Sequence, residues 1–284
     1  MVRYMPQDLK IAVAHMKTRM LSRRFNNEKM SIAVSEAKRK RASLLIVSPL
    51  LSVEDIVDYY PQTRLKAVLK SYAERMPTPA LDNIITKAIE ENLYISIGGL
   101  LERAGPKLFM IGLVVTPNGR IETKYRKIMI SLKEAGVGIS PGRSIALARI
   151  NGIKVGLLLD DDIVAPELSR HLKLMGAKMI IYMLRKKNFN SMVLRSLAIA
   201  RAVETELPVV VCGSIVEWHG EVLYSVPSMI IDHNGQILCE AHSEERVIVG
   251  SVRVPSRDNM RYATSSYKIL SETCRELSKS YKLS

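Results

Sequence analysis

The sequence predicts an α/β protein in which helices cover the outer faces of paired, mixed β-sheets. Apolar strands alternate with segments whose apolar residues recur at helical spacing, which is typical of parallel βαβ connections. Three Asn-Gly dipeptides separate pairs of adjacent apolar strands, and this dipeptide favours tight antiparallel hairpins. Because both kinds of connection occur along one chain, each sheet should contain parallel and antiparallel neighbours.

The N-terminal part has the order strand, helix, strand. Residues 9–16 (LKIAVAHM) form a short apolar strand, and residues 42–49 (ASLLIVSP) form a second one. Between them, residues 26–41 carry apolar side chains at helical spacing and end in the basic run AKRKR, which suits the negative end of a helix dipole. The pattern predicts a βαβ unit.

The remainder of the chain repeats this alternation. Three more helices are predicted, at residues 78–92, 163–175 and 190–206, together with a helix near the C-terminus. Buried strands are predicted at residues 93–101, 178–184 and 207–214. The three hairpins turn at Asn118-Gly119, Asn151-Gly152 and Asn234-Gly235.

Length and composition predict one domain over residues 1–284, with a core at about 8–254 and a C-terminal helical extension at 255–284. The chain is 47% hydrophobic and 25% charged, and no linker interrupts the pattern. Such a chain can bury a large core.

The sequence predicts a cytoplasmic protein that does not enter a membrane. No stretch approaches 18 apolar residues, and the first residues lack the apolar run of a signal peptide. Cys212, Cys239 and Cys274 have no paired spacing, so we expect no disulfide framework and no zinc site. The low content of Gln and Cys also hints at a thermophilic source.

The net charge of +14 is the strongest compositional signal. It would attract nucleic acid or an acidic partner protein. The cations are scattered and few aromatic residues lie among them, so a solvated basic surface is the favoured interpretation. A basic nucleic-acid-associated protein stays open as an alternative.

Five segments follow one another along the chain: NNEKMSIAVSEAKRKRASLLIVSP, LFMIGLVVTPNGRIETKYRKIMI, SPGRSIALARINGIKVGLLLDDDIVAPELSRHLKLMGAKMII, AIARAVETELPVVVCGS and PSMIIDHNGQILCEA. Their order resembles the nitrilase, or carbon-nitrogen hydrolase, superfamily. The resemblance implies a four-layer αββα sandwich. It also implies a homodimer or a higher homo-oligomer.

The same resemblance implies a chemistry. In the family a Cys thiolate attacks a nitrile or amide carbon, a Glu acts as general base and acid, and a Lys stabilises the charged intermediate. The match to the Tyr-Arg-Lys motif carries the lysine role over to Lys127. Glu134, in SLKEAG, matches a second Glu that assists in the same pocket.

Two of the family's reactive positions carry other residues. Pro49-Leu50 stands where the family has Pro-Glu, so Leu50 occupies the position of the general base. Asp160 occupies the position of the nucleophilic Cys. The frame around this turn is kept at Asp162, Pro166, Glu167 and Arg170.

These replacements predict a catalytically inactive family member, retained as an oligomeric scaffold or as a ligand- or partner-binding protein. Attack by the Asp160 carboxylate on an amide would give a reactive anhydride and expel a poor leaving group. Leu50 has no proton to give to that group. An active hydrolase that uses Asp160 stays open as an alternative.

The aspartate triplet is expected to form a charge-compensated cluster. We expect Asp160 to pair with Lys127, Asp161 to point outward, and Asp162 to cap a helix starting near Ile163. Alternating side-chain directions allow at most two of the three to converge, so no metal and no cofactor are predicted. The run Arg185, Lys186, Lys187 is interpreted as a solvated loop, with narrowing of the pocket mouth or contact with an anion or a phosphate backbone as the alternatives.

Overall fold

The computed structural model describes residues 7–47, 56–57, 59–78, 81–185, 190–254 and 264–280. Residues 7–254 belong to one compact unit. The C-terminal helix, Thr264–Ser280, belongs to a second unit. Leu50, Lys186 and Lys187 lie outside the described residues, so their predicted roles stay predictions.

The first sheet has six strands and contains the predicted N-terminal βαβ unit. From edge to edge its strands are β15 (Arg246–Val254), β1 (Gln7–His15), β3 (Leu44–Val47), β4 (Tyr94–Ala104), β5 (Lys107–Val115) and β6 (Ile121–Arg126). β1, β3 and β4 are parallel, whereas the other neighbours are antiparallel. The sheet is therefore mixed, as the connections predicted.

The second sheet repeats this arrangement. Its strands are β14 (Ile237–Ala241), β13 (Ser228–Ile231), β10 (Val209–Cys212), β9 (Met179–Met183), β8 (Ile153–Leu159) and β7 (Ala146–Ile150). β8, β9 and β10 are parallel, and antiparallel hairpin partners flank them on both sides. Because β8 and β9 are parallel neighbours, their carboxyl ends meet at one edge of the sheet.

A third, small sheet was not predicted. It joins β12 (Glu221–Ser225), β11 (Ile215–Trp218) and β2 (Lys17–Arg19). β2 has three residues, too few to show a period of two in the sequence.

Seven α-helices are described. They are α1 (Arg23–Arg39), α2 (Gln62–Tyr72), α3 (Asp82–Glu90), α4 (Leu132–Gly136), α5 (Pro166–Leu174), α6 (Ser191–Thr205) and α7 (Thr264–Ser280). α1, α3 and α6 fall on predicted helices, and α7 falls on the helix predicted near the C-terminus. α2 and α4 were not predicted.

The predicted helix at 163–175 is wrong in its first turn. A 3₁₀ helix spans Asp160–Val164, and α5 begins only at Pro166. Proline disfavours helical geometry in the residue before it. Accordingly, Ala165 is extended, with φ −92° and ψ 97°, and separates the two helices.

The layers follow from the side-chain alternation along the strands. In β1, Leu9, Ile11 and Val13 join the core that contains both sheets, whereas Ala12 and Ala14 face a second core with α1. On the other side, buried residues of α5 and α6 join the core of the second sheet. The predicted four-layer αββα sandwich is confirmed.

Candidate active site

Lys127 is the centre of a buried charged cluster. It directly follows β6, and its side chain is fully buried. Its Nζ lies 2.6 Å from Glu134 Oε1 and 3.3 Å from Asp161 Oδ2. One ammonium group thus faces two carboxylates, which compensates the cost of burying its charge.

Glu134 is held in place by the start of α4. Its backbone N–H donates to Ser131 Oγ, while Glu134 Oε2 accepts from the Ser131 backbone N–H at 2.6 Å. This reciprocal capping box fixes the carboxylate, and its other oxygen receives Lys127. The structure therefore brings together two of the residues singled out from the sequence.

Asp160 begins the 3₁₀ helix directly after β8, in a backbone conformation that is uncommon for a residue with a side chain. Its φ is +43°, and it is 3% exposed. Its Oδ1 accepts the backbone N–H of Arg185 at 2.6 Å, across the ends of β8 and β9. The Asp160 carboxylate thus links two neighbouring strand ends.

Asp161 does not point outward, and that expectation is wrong. Its carboxylate forms the 3.3 Å salt bridge to Lys127 noted above, and its side chain is only 18% exposed. Inward and outward alternation holds for an extended strand, but these residues form a 3₁₀ turn instead. The described ion pair is with Asp161, and the expected pair of Lys127 with Asp160 stays a prediction.

Asp162 ties the turn to the segment after β6. Its carboxylate accepts from Tyr125 Oη at 2.7 Å and from the backbone N–H groups of Met129, Leu159 and Ile128 at 2.8, 3.0 and 3.2 Å. Burial raises the pKa of Asp162 to about 6, against these hydrogen bonds and the nearby Lys127. The predicted role as cap of a helix starting near Ile163 is wrong. Asp162 lies inside the 3₁₀ helix and caps the start of that helix through the Leu159 N–H, while its other three donors belong to residues 125–129.

Arg185 is buried, so a solvated loop is the wrong interpretation at this position. It is 1% exposed, and its guanidinium donates to Thr18 Oγ1 at 3.1 Å. Its backbone carbonyl accepts from Tyr224 Oη at 2.8 Å. Arg185 thereby joins the aspartate turn to β2 and β12, two strands of the small third sheet.

A second buried polar pair, His15 with Ser228, was not predicted from the sequence. His15 at the end of β1 lies 3.0 Å, Nδ1 to Oγ, from Ser228 at the start of β13. His15 Nε2 must donate to the His242 carbonyl at 2.7 Å, so Nδ1 of the neutral ring accepts the Ser228 hydroxyl proton. Burial lowers the pKa of His15. Both side chains are fully buried, and we assign the pair to core packing.

The described cysteines offer no obvious replacement nucleophile. Cys212 is fully buried in β10, with Sγ 3.6 Å from the Ile46 carbonyl oxygen and 3.8 Å from that of Ala14. These partners belong to the first sheet, so the thiol lies in the core between the sheets. Cys239 lies in β14, and Cys274 is exposed on α7.

Within the described part of the chain, no three His, Cys, Asp or Glu side chains are grouped so that they could hold a metal ion. None of the described helices is long and apolar enough to cross a membrane.

Comparison with known proteins defines the class. The carbon-nitrogen hydrolase family model matches residues 10–262. The chain belongs to this carbon-nitrogen hydrolase family. It is 27% identical to an (R)-stereoselective amidase from a Pseudomonas species over 218 residues, which are 75% of this chain and 77% of that protein. It is 24% identical to the omega-amidase NIT2 of Xenopus tropicalis over 232 residues, 77% of this chain and 79% of that one.

Solved structures of amidase and carbon-nitrogen hydrolase proteins share the fold of this chain. An amidase from Nesterenkonia sp. superposes with a TM-score of 0.72 at 18% identity, covering 92% of this chain and 96% of that one. A protein of the same superfamily from Xanthomonas campestris, solved with an arsenic adduct in its active site, also gives 0.72 at 18% identity, with 86% and 90% covered. At 18% identity, the similarity to these structures establishes the fold and nothing more.

Proposed function

We propose that this protein is a carbon-nitrogen hydrolase homologue without hydrolase activity, and that its former reactive centre is a structural charge cluster in an oligomeric scaffold or binding protein. The observation that carries the proposal is the hydrogen bond from the Arg185 backbone N–H to Asp160 Oδ1. This hydrogen bond makes the Asp160 carboxylate a link between two strand ends. A carboxylate that accepts such a bond is a weaker nucleophile than a free one.

The chemistry of the position supports the same proposal. An amide attacked by the Asp160 carboxylate would yield an anhydride, which is less stable than the starting amide, and an amine that must be protonated as it leaves. Leu50 provides no proton. Lys127 is already paired with Glu134 and Asp161, which weakens its attraction for a developing oxyanion.

Ammonia release from a panel of aliphatic amides and nitriles tests the proposal. We expect the protein to release no more ammonia than the Asp160→Ala variant, and mass spectrometry to find no acyl adduct after incubation with substrate. A positive control shows whether a small amide can reach residue 160. The double variant Asp160→Cys with Leu50→Glu should become covalently modified by fluoroacetamide at residue 160. A solved Nesterenkonia amidase carries such an addition on its active-site cysteine.

The outcome that contradicts the proposal is turnover in the unmodified protein that disappears in Asp160→Ala. This would establish the alternative function, a hydrolase with a carboxylate nucleophile. Glu134 is then the described residue near Lys127 to test next as the proton donor, by Glu134→Gln.

We also propose that the protein is a homo-oligomer in which α5 and α6 contribute to an interface. Large apolar side chains are exposed along and beside these two helices. They are Val164, Leu174, Met175, Met192, Val193 and Val203. Exposed apolar area concentrated on one pair of helices is typical of an interaction surface.

Light scattering after size-exclusion chromatography measures the mass directly. We expect at least a dimer of the 31.8 kDa chain, and a shift toward the monomer in Met192→Glu. Ile32→Glu on α1, also an exposed apolar position, is the matched control and should leave the mass unchanged. A monomeric unmodified protein would exclude this arrangement.

A further inference from the structure

A cavity separate from the aspartate turn lies beside β5 and β6. Its volume is about 670 Å³, and β5, β6 and the loop 140–144 line it. Tyr125 of β6 points into the core between the sheets, so its neighbours Lys124 and Arg126 face the opposite side of the sheet, toward this cavity. We call it the basic cleft.

Four cations line the basic cleft from three different segments. Lys107 lies on β5, Lys124 and Arg126 lie on β6, and Arg143 lies in the loop. The described lining residues include no acidic side chain. Four cations face a single carboxylate there, that of Glu102, so the cleft keeps a net positive charge that raises the local concentration of anions.

Two of these cations are fixed in position. The Arg126 guanidinium lies 4.1 Å from the centroid of the Phe109 ring, and its Nε donates to Glu102 Oε2 at 2.7 Å. Lys124 also donates to the buried Glu102 carboxylate. Burial opposes ionisation of Glu102, but hydrogen bonds from Arg126 and Lys124 prevail and lower its pKa, so it is charged at neutral pH. Side chains held this way lose less conformational freedom when a ligand binds.

The loop that carries Arg143 is attached to the same two strands. Ser140 N–H donates to the Leu108 carbonyl at 2.8 Å, and Gly142 N–H donates to the Lys127 carbonyl at 2.7 Å. A Cβ on Gly142 would lie 2.2 Å from the Arg126 carbonyl oxygen, so only glycine permits this close approach. The loop and the strands therefore form one wall.

We propose that the basic cleft binds a small, multiply charged anion that carries phosphoryl groups. Arg and Lys side chains converging from separate segments suit the several oxygens of a phosphate, and a guanidinium matches two of them at once. The volume lies within the range of small-molecule sites. This proposal does not depend on whether the protein has hydrolase activity at Asp160, because Asp160 does not line the basic cleft.

A nucleic-acid strand fits the basic cleft less well. Sequence-independent strand binding uses an extended basic groove with aromatic rings free for base stacking. Here the aromatic residue of the site, Phe109, is 7% exposed and is covered by Arg126. The charge is concentrated in one concavity rather than along a track.

Isothermal titration calorimetry of the full chain with inorganic pyrophosphate tests the proposal. We expect saturable binding to one site per chain that weakens when salt is raised from about 50 to about 300 mM. Lys107→Gln with Arg143→Gln should lower the affinity about tenfold or more. Both residues are exposed, and thermal melting will verify that the double variant stays folded.

The control variant removes two positive charges from a surface helix that does not line the cleft. Arg64→Gln with Lys66→Gln alters two exposed cations of α2 and should leave the affinity within about twofold, since screening limits distant charges. Absence of saturable pyrophosphate binding would overturn the proposal, as would equal weakening in both double variants. A single-stranded oligonucleotide that binds through Lys107 and Arg143 while pyrophosphate does not would also overturn it, in favour of a nucleic-acid surface.

Discussion

The ammonium of Lys127 and the carboxylate of Glu134 form a fully buried ion pair, 2.6 Å apart and seven residues apart in the chain. Removing one partner of such a pair leaves an uncompensated charge in the core. We therefore expect Lys127→Met to lower the free energy of unfolding by about 3–5 kcal/mol, measured by urea denaturation.

The double variant Lys127→Met with Glu134→Gln provides the matched comparison for this pair. It removes both charges, so it should recover part of the loss even though Asp161 stays nearby. A double variant that is less stable than Lys127→Met would show that the capping role of Glu134 outweighs its electrostatic one.

Asp162 should make the stability depend on pH between about 4 and 6. Its folded pKa of about 6 lies above the ordinary 3.8, so the native state binds its proton more tightly than the unfolded state does. That stabilisation is complete below pH 3.8 and is lost as pH rises through 6. The shift of roughly two units corresponds to about 3 kcal/mol.

The comparison with Asp162→Asn isolates this effect, because Asn does not titrate. The difference in unfolding free energy, native protein minus variant, should fall by about 3 kcal/mol between pH 3.5 and pH 7. A pH-independent difference would mean that the four hydrogen bonds to the carboxylate keep its pKa at the ordinary value.

Arg201 on α6 should matter more to stability than Arg195 on the same helix. Arg201 is 6% exposed, and its guanidinium donates to the carbonyls of Ile163 and Val164 at 2.9 and 3.3 Å, closing the end of the 3₁₀ helix. Arg201→Met would leave these carbonyls without that donor and cost about 2–3 kcal/mol.

Arg195→Met is the control for Arg201. Its guanidinium pairs with Glu240, but its side chain is 46% exposed, so the loss should stay below about 1 kcal/mol. Thermal melting of both variants under one condition makes the comparison. Equal losses would contradict a specific role of Arg201 at the aspartate turn.

Gly213, which follows β10, should tolerate no side chain. A Cβ there would lie 2.0 Å from the Val226 carbonyl oxygen, and this backbone atom cannot move aside alone. Gly213→Ala should cost about 3 kcal/mol or more in urea denaturation.

Gly136→Ala is the control for Gly213, because a Cβ at Gly136 meets no atom within 4 Å. Alanine at this helical position should be neutral or stabilise the protein by up to about 1 kcal/mol. Destabilisation by both substitutions to the same degree would contradict the steric argument.

The fold was largely predictable from the sequence because its signals are local. The Asn-Gly turns and the apolar strands were sufficient to predict mixed sheets, and the family resemblance predicted the four layers. Of the missed elements, β2 and α2 have weak local signals, whereas α4 was missed although Ser131 and Glu134 carry the capping-box pattern. β2 has three residues, and α2 begins after Pro61 with no acidic residue in its first turn.

The sequence analysis singled out residues of the charged cluster, but it did not predict the direction of Asp161. Lys127, Glu134 and Asp160 were singled out, and the structure places Lys127 beside Glu134. The assumption of an extended strand gave the wrong direction for Asp161, because a 3₁₀ turn rotates successive side chains by about 120° rather than 180°.

The sequence by itself determined which chemical groups stand at the positions that the family resemblance singles out: a carboxylate at 160, an aliphatic chain at 50 and an amine at 127. Tertiary structure alone decided that Asp161 pairs with Lys127, that Arg185 is buried, and that four cations converge on one cleft. Hydrophobic period and turn chemistry act between near neighbours in the chain. Charge pairing depends on distances across strand ends and loops that no local pattern encodes.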